Sequence, residues 1–149
     1  MNVNYFMKEA LIEARKALTF DETPIGAILV DNISKKIVSR GFNQINKLNN
    51  AMMHCEISII LETCQKLKLK YLDNMTMFVT LEPCSMCASA ISEVHIKSLY
   101  FGAYDEKNGG IEKIRVAFKR NNIFMPNIIG GIMEKECSKL IKEYFVKKR

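Results

Sequence analysis

The sequence predicts an α/β layered domain, a mixed sheet covered by helices. The order of elements carries that expectation: an early antiparallel hairpin is followed by alternating strand and helix. The punctuation is sparse, with 7 Gly and 3 Pro in 149 residues, and there is no repeat or low-complexity linker. Residues 1–149 are therefore expected to form one domain. A chain of this length buries roughly 70% of its unfolded surface, enough for a real core.

Residues 4–18 place Phe6, Met7, Ala10, Leu11, Ala14 and Leu18 at helical spacing. Asp21-Glu22-Thr23-Pro24 breaks that helix. Residues 25–30 form a compact apolar run that reads as a buried strand. Asp31-Asn32 supplies turn chemistry, and 36–43 completes the hairpin. Residues 56–69 read as a helix with Ile57, Ile60, Leu61 and Cys64 on its apolar stripe. After the Asp73-Asn74 turn, 75–81 is β-rich, and Pro83 is expected to open a short helix over 84–92. A fourth strand spans 98–101 and is expected to end at Gly102. Residues 105–110 are loop-like, and 128–129 form a short last strand before Gly130-Gly131. The final helix, 133–147, carries Met133, Cys137, Leu140, Ile141, Tyr144 and Phe145 on one face.

With 48% hydrophobic and 26% charged residues, the composition excludes a disordered or collagen-like chain. The 22 basic and 16 acidic residues leave a net charge of +6, which suits a polyanionic partner such as nucleic acid. The longest apolar run, 24–30, is interrupted by Gly26 and stops at Asp31, so no membrane span is expected. Glu9 and Glu13 among the first apolar residues argue against a leader peptide. Five cysteines, an odd number, suit thiols free to bind metal in a reducing cytoplasm rather than a disulfide framework.

Two local patterns carry chemistry. His54-Cys55-Glu56 opens one predicted helix, and Pro83-Cys84-Ser85-Met86-Cys87 opens another. Alone, a histidine there is ordinarily a cap or core residue. A lone C-x-x-C can be a redox pair, half a zinc knuckle or two core thiols. Together they converge. A helix N-terminus lowers thiol pKa and favours the thiolate that zinc needs, and Cys84 and Cys87, three apart, share one face. His54, Cys84 and Cys87 thus supply three ligands. Structural zinc sites close with four, whereas catalytic ones keep a position for water. Cys64 and Cys137 lie on apolar stripes and are assigned to the core. One zinc ion per chain is expected, activating water at near-neutral pH. Glu56, two residues past His54, reaches the same place without being a ligand and suits general acid–base work.

H-x-E followed by P-C-x-x-C resembles the signature of the zinc-dependent cytidine deaminase-like superfamily. The likeness narrows further. Phe6-Met7-Lys8-Glu9-Ala10-Leu11, Glu22-Thr23-Pro24-Ile25-Gly26-Ala27, Thr80-Leu81-Glu82-Pro83-Cys84-Ser85-Met86-Cys87-Ala88 and Phe101-Gly102-Ala103-Tyr104-Asp105-Glu106-Lys107 are similar, in order, to blocks of the bacterial TadA-type tRNA adenosine deaminases. The resemblance covers nearly the whole chain. It implies a three-layer cytidine deaminase-like fold, with a central mixed sheet of about five strands flanked by helices. It also implies hydrolysis of the 6-amino group of adenosine at the wobble position of tRNA, giving inosine and ammonia.

Under that resemblance His54, Cys84 and Cys87 hold Zn2+ and Glu56 moves the protons. Asn43, Asp105 and Lys107 contact substrate. The basic end, 142–149, approaches the anticodon loop, and the chain forms a homodimer. No nucleotide cofactor and no membrane are involved. His95 is left at the surface. The sequence departs from the family at Cys55, where Ala is usual, at Ser89, where Gly is common, and in its short tail after Phe145. Two rivals remain at this level: a relative acting on free bases or nucleotides, and a non-catalytic zinc module that binds RNA.

Overall fold

The computed structural model describes residues 1–111 and 123–149. Its first helix, α1 (Val3–Leu18), starts where the Asn2 side chain accepts the Tyr5 backbone N–H at 3.0 Å, an N-cap. Its inner face is Phe6, Met7, Ala10, Leu11, Ala14 and Ala17. Leu18, expected on that stripe, is exposed instead, and Ala17 takes the inward position.

Strands β1 (Gly26–Asp31) and β2 (Ile37–Phe42) form the predicted antiparallel hairpin. The Asp31 carboxylate closes its turn by accepting the Ser34 N–H at 3.0 Å. Helix α2 (Cys55–Leu67) leads to β3 (Met75–Leu81), α3 (Ser85–Glu93) and β4 (Ser98–Ala103). Strand β5 (Asn127–Ile129) and helix α4 (Glu134–Lys147) complete the described elements. The sheet order is β2-β1-β3-β4-β5. β1 pairs antiparallel with β2 and β3, whereas β3–β4 and β4–β5 are parallel. The mixed five-stranded sheet is thus the predicted one.

Strand periodicity explains the layers. Successive side chains point to opposite faces, so a strand buried on both faces reads as a continuous apolar run. Ala27, Leu29, Met77 and Val79 face α2 and α3 in one core cluster. Ile28, Val30 and Phe78 face α1 and α4 in the other. Phe78 lies between Phe6 and Tyr100, with ring centroids 5.3 and 5.0 Å away.

Four further expectations need correcting. Pro83 lies outside α3, which begins at Ser85 with Cys84 as N-cap, because the Pro83 carbonyl is bonded to the Gly110 N–H instead. Gly102 lies inside β4 rather than ending it. A Cβ there would come within 2.4 Å of Cys137 Sγ and 2.7 Å of the Thr80 carbonyl, so this glycine serves close approach of α4. Leu61 is 57% exposed, since the buried face of α2 is Cys55, Glu56, Ile59, Ile60 and Thr63. Counting only apolar residues misplaced that face, because two of its members are polar. Phe145 is 49% exposed, and in α4 only Cys137 is fully buried. All five cysteines are free thiols. Among the described residues no helix is long and apolar enough to cross a membrane.

Candidate metal centre and active site

His54 and Cys84 occupy equivalent places: each is the N-cap of its helix, and neither side chain makes the capping hydrogen bond. Their carbonyls begin the helices, accepting the N–H groups of Ser58 at 3.1 Å and Ala88 at 2.9 Å. The side chains are thereby free to turn toward each other. His54 Nδ1 lies 3.7 Å from Cys84 Sγ and 3.5 Å from Cys87 Sγ, and the three ligand atoms fall within 4.8 Å of one another. A tetrahedral zinc with bonds of about 2.3 Å to sulfur and 2.0–2.1 Å to nitrogen places its N and S ligands about 3.6 Å apart. The cluster fits that ion.

The electrostatics agree with a metal-binding role. Cys84 is held down to about 3, first by the hydrogen bond from Cys87 and then by His54. Cys87 is pushed up by sharing its proton with Cys84 and by burial. His54 is raised, chiefly by its hydrogen bond with Cys84. A thiolate beside a second thiol and an imidazole is the donor set zinc takes up by displacing protons.

Glu56 is 4% exposed and does not belong to the three-residue cluster. Burial pushes its carboxyl above the ordinary range, the direction that suits a group exchanging protons. The neighbouring Cys55 thiol, itself pushed well up by burial and so protonated, donates to Glu56 Oε1 at 3.1 Å.

Two loops flank these groups. In the first, buried Asn43 accepts the Cys55 backbone N–H on Oδ1 at 2.9 Å, tying the end of β2 to the first turn of α2. The same loop is held from below by Glu22, 1% exposed, which accepts the Lys47 N–H at 2.7 Å. The second loop is 105–110. Its Asp105 carboxylate accepts the N–H groups of Lys107 at 3.2 Å and Asn108 at 3.0 Å, while Glu82 accepts the Asp105 N–H at 3.1 Å. The loop lies against the start of α3 through a bridge between Cys84 and Gly109. A Cβ on Gly110 would stand 2.4 Å from the Ser85 nitrogen, so glycine is required for that approach. Lys107 is exposed. The structure thus gathers His54, Cys84, Cys87, Glu56 and Asn43 at the two helix starts, with Asp105 and Lys107 on the adjoining loop.

Sequence reasoning missed three things. It read Cys55 as a stand-in for alanine or a competing thiol near the metal, and did not foresee its bond to Glu56. It assigned nothing to Glu22 or Glu82, although a lone carboxylate beside an apolar strand signals a buried brace. It left His95 at the surface, whereas the ring is half-buried and stacked between Tyr71 and Phe124, at 4.5 and 4.8 Å.

Residues 1–103 match the model of the cytidine and deoxycytidylate deaminase zinc-binding region. The chain belongs to that family. Within it, the chain is 40% identical over 144 residues to the tRNA-specific adenosine deaminase of Rickettsia bellii, covering 96% of this chain and 99% of that one. A solved structure from work on A-to-I editing by tRNA:A34 deaminases at the wobble position superposes with a TM-score of 0.85 at 39% identity. It covers 91% of this chain and 98% of its own. The guanine deaminase of Nitrosomonas europaea shares the fold alone, with a TM-score of 0.81 at 18% identity over 96% of this chain and 84% of that one. The likeness to these structures therefore extends beyond the stretch matched by the family model.

Proposed function

We propose that this chain is a hydrolase that deaminates adenosine at the wobble position of tRNA to inosine, releasing ammonia. The observation that carries this reading is a His54–Cys84–Cys87 cluster at zinc spacing beside a buried carboxylate, Glu56, that is not part of it. The substrate follows from the near-full-length likeness to tRNA-specific adenosine deaminases. In this reading residues 1–149 are one catalytic domain, supported by a single sheet that gathers helices from both ends of the chain.

His54, Cys84 and Cys87 would hold one zinc ion per chain. Bound there, the metal supplies Lewis acidity that makes water a nucleophile near neutral pH. Glu56 accepts a proton from the attacking water and delivers it to N1 of the adenine as the C6–O bond forms. It then takes the remaining proton from the new C6 hydroxyl and passes it to the amine, which leaves as ammonia when the C6–N bond breaks. Asn43 commits Oδ1 to α2, which leaves its Nδ2 donor for the base. Asp105 and Lys107 meet the substrate strand from the loop beside Cys84. Tyr144 and the basic residues 142–149 receive the anticodon loop. A second copy completes a homodimer, and the cytoplasm, where tRNA is modified, is the place of action.

The test is Glu56→Gln, which keeps shape and hydrogen bonding but removes the proton acceptor. Zinc content, folding and tRNA binding are expected to persist. Inosine formed in a single turnover should drop by about 10³-fold or more, the upper range for general acid–base catalysis. Near-normal inosine formation with full zinc would overturn the mechanism. Zinc and tRNA binding with no deamination by the unaltered protein would favour a binding module, and turnover of free guanine or cytosine instead would favour the free-base rival.

A further inference from the structure

We infer that Cys55 is a positioning residue for Glu56: its thiol holds one oxygen of the carboxylate and leaves the other to work. This rests on the reading of Glu56 as the proton carrier. It extends that reading to a position where the sequence departs from its family's usual alanine.

Cys55 is the first residue of α2 and is wholly buried. Both of its polar hydrogens are committed. The backbone N–H goes to Asn43 Oδ1 at 2.9 Å, and the thiol goes to Glu56 Oε1 at 3.1 Å. Neighbouring residues on a helix point about 100° apart, so a contact between them draws the longer side chain back over the first turn. Glu56 is that longer side chain. Among the described residues the Cys55 thiol is the side-chain donor found on its carboxylate.

A carboxylate with two equivalent oxygens can present either one, in several rotations. Once Oε1 is held, rotation about the last side-chain bond is restricted and Oε2 becomes the oxygen that exchanges protons. An alanine at position 55 fills part of the same wall but donates nothing, so such a chain needs another way of orienting its glutamate. The same short unit also links Glu56 to Asn43, because Cys55 bonds to both. The proton carrier and the proposed base contact are thus referred to one backbone position.

The experiment compares Cys55→Ala and Cys55→Ser in the zinc-loaded full chain, with inosine formation on tRNA as readout. Serine and alanine are both smaller than cysteine, so a packing role would make the two variants lose alike. A positioning role separates them. Cys55→Ala is expected to lower kcat about tenfold, the size of one hydrogen bond to a charged group, with KM and zinc content unchanged. Cys55→Ser, which restores a donor, should recover to within about threefold of the parent. In a Glu56→Gln background Cys55→Ala should cost nothing more, since the pair acts as a unit.

Equal losses in the two variants, or a Cys55→Ala protein as fast as its parent, would overturn the inference. A Glu56→Gln protein that keeps its rate would instead overturn the reading of Glu56 itself, whatever the Cys55 variants do. An inactive Glu56→Gln with a fully active Cys55→Ala would remove only the inference drawn here.

Discussion

His54 and Cys84 are helix caps that decline to cap, and that local irregularity frees their side chains to meet. Removing either thiol of the pair leaves an imidazole and one sulfur, too few to hold a catalytic zinc. Cys84→Ala and Cys87→Ala should therefore each lose metal and deamination together, with zinc measured in the same preparations as inosine. Full zinc in both variants would assign the metal to other ligands. Acid should release the ion as well. In the proposed site zinc would take His54 as the neutral ring, and His54 is raised above its ordinary value, so protons would compete increasingly as pH falls through that range. Zinc retained after dialysis at stepped pH would show this as a loss on the acid side only. These residues were legible in the sequence because few residue types bind zinc and their spacing from helix starts is short. Asp105 and Lys107 carried no comparable signal. The Asp105 carboxylate is already engaged by its own loop, and loop acids and lysines serve turns and solvent as readily as ligands.

At the scale of elements, periodicity read the layers well wherever it was purely apolar. The residues of β1 and β3 belong to two core clusters in alternation, as their unbroken apolar runs imply. It failed on α2 because the site lies on the buried face, where Glu56 and Thr63 interrupt the apolar pattern and Leu61 is left outside. Boundaries failed where glycine had two meanings. Gly102 reads as a stop, yet β4 passes through it, since the residue answers to Cys137 on α4 rather than to its own strand. Gly102→Ala should thus destabilise by about 1–3 kcal/mol through overpacking, seen as a lower urea midpoint at unchanged slope. An unchanged midpoint would mean that α4 yields without cost. Cys137→Ala in the same background should return part of the loss by vacating the space.

Over the whole molecule the charge of +6 should be felt as ionic-strength dependence. If about four phosphates of a single-stranded loop are neutralised, log affinity for tRNA falls against log salt with a slope near −3. Deleting residues 147–149 should flatten that slope while single-turnover chemistry on bound tRNA stays nearly intact. A slope near zero in the full chain would point to an uncharged substrate. The centre also has a mechanical side. His54 and Cys84 are 30 positions apart, and α2, β3 and the connections around them lie between. In the proposed site an ion held by both ends would close that stretch of the folded chain into a ring and tie the starts of the two helices together, a grip the unfolded chain lacks. Metal and heat tolerance are then one property. The thermal midpoint should climb with free zinc by mass action and fall on chelation, even in a Glu56→Gln protein that has no turnover to protect. A catalytic ion held there would also be a rivet.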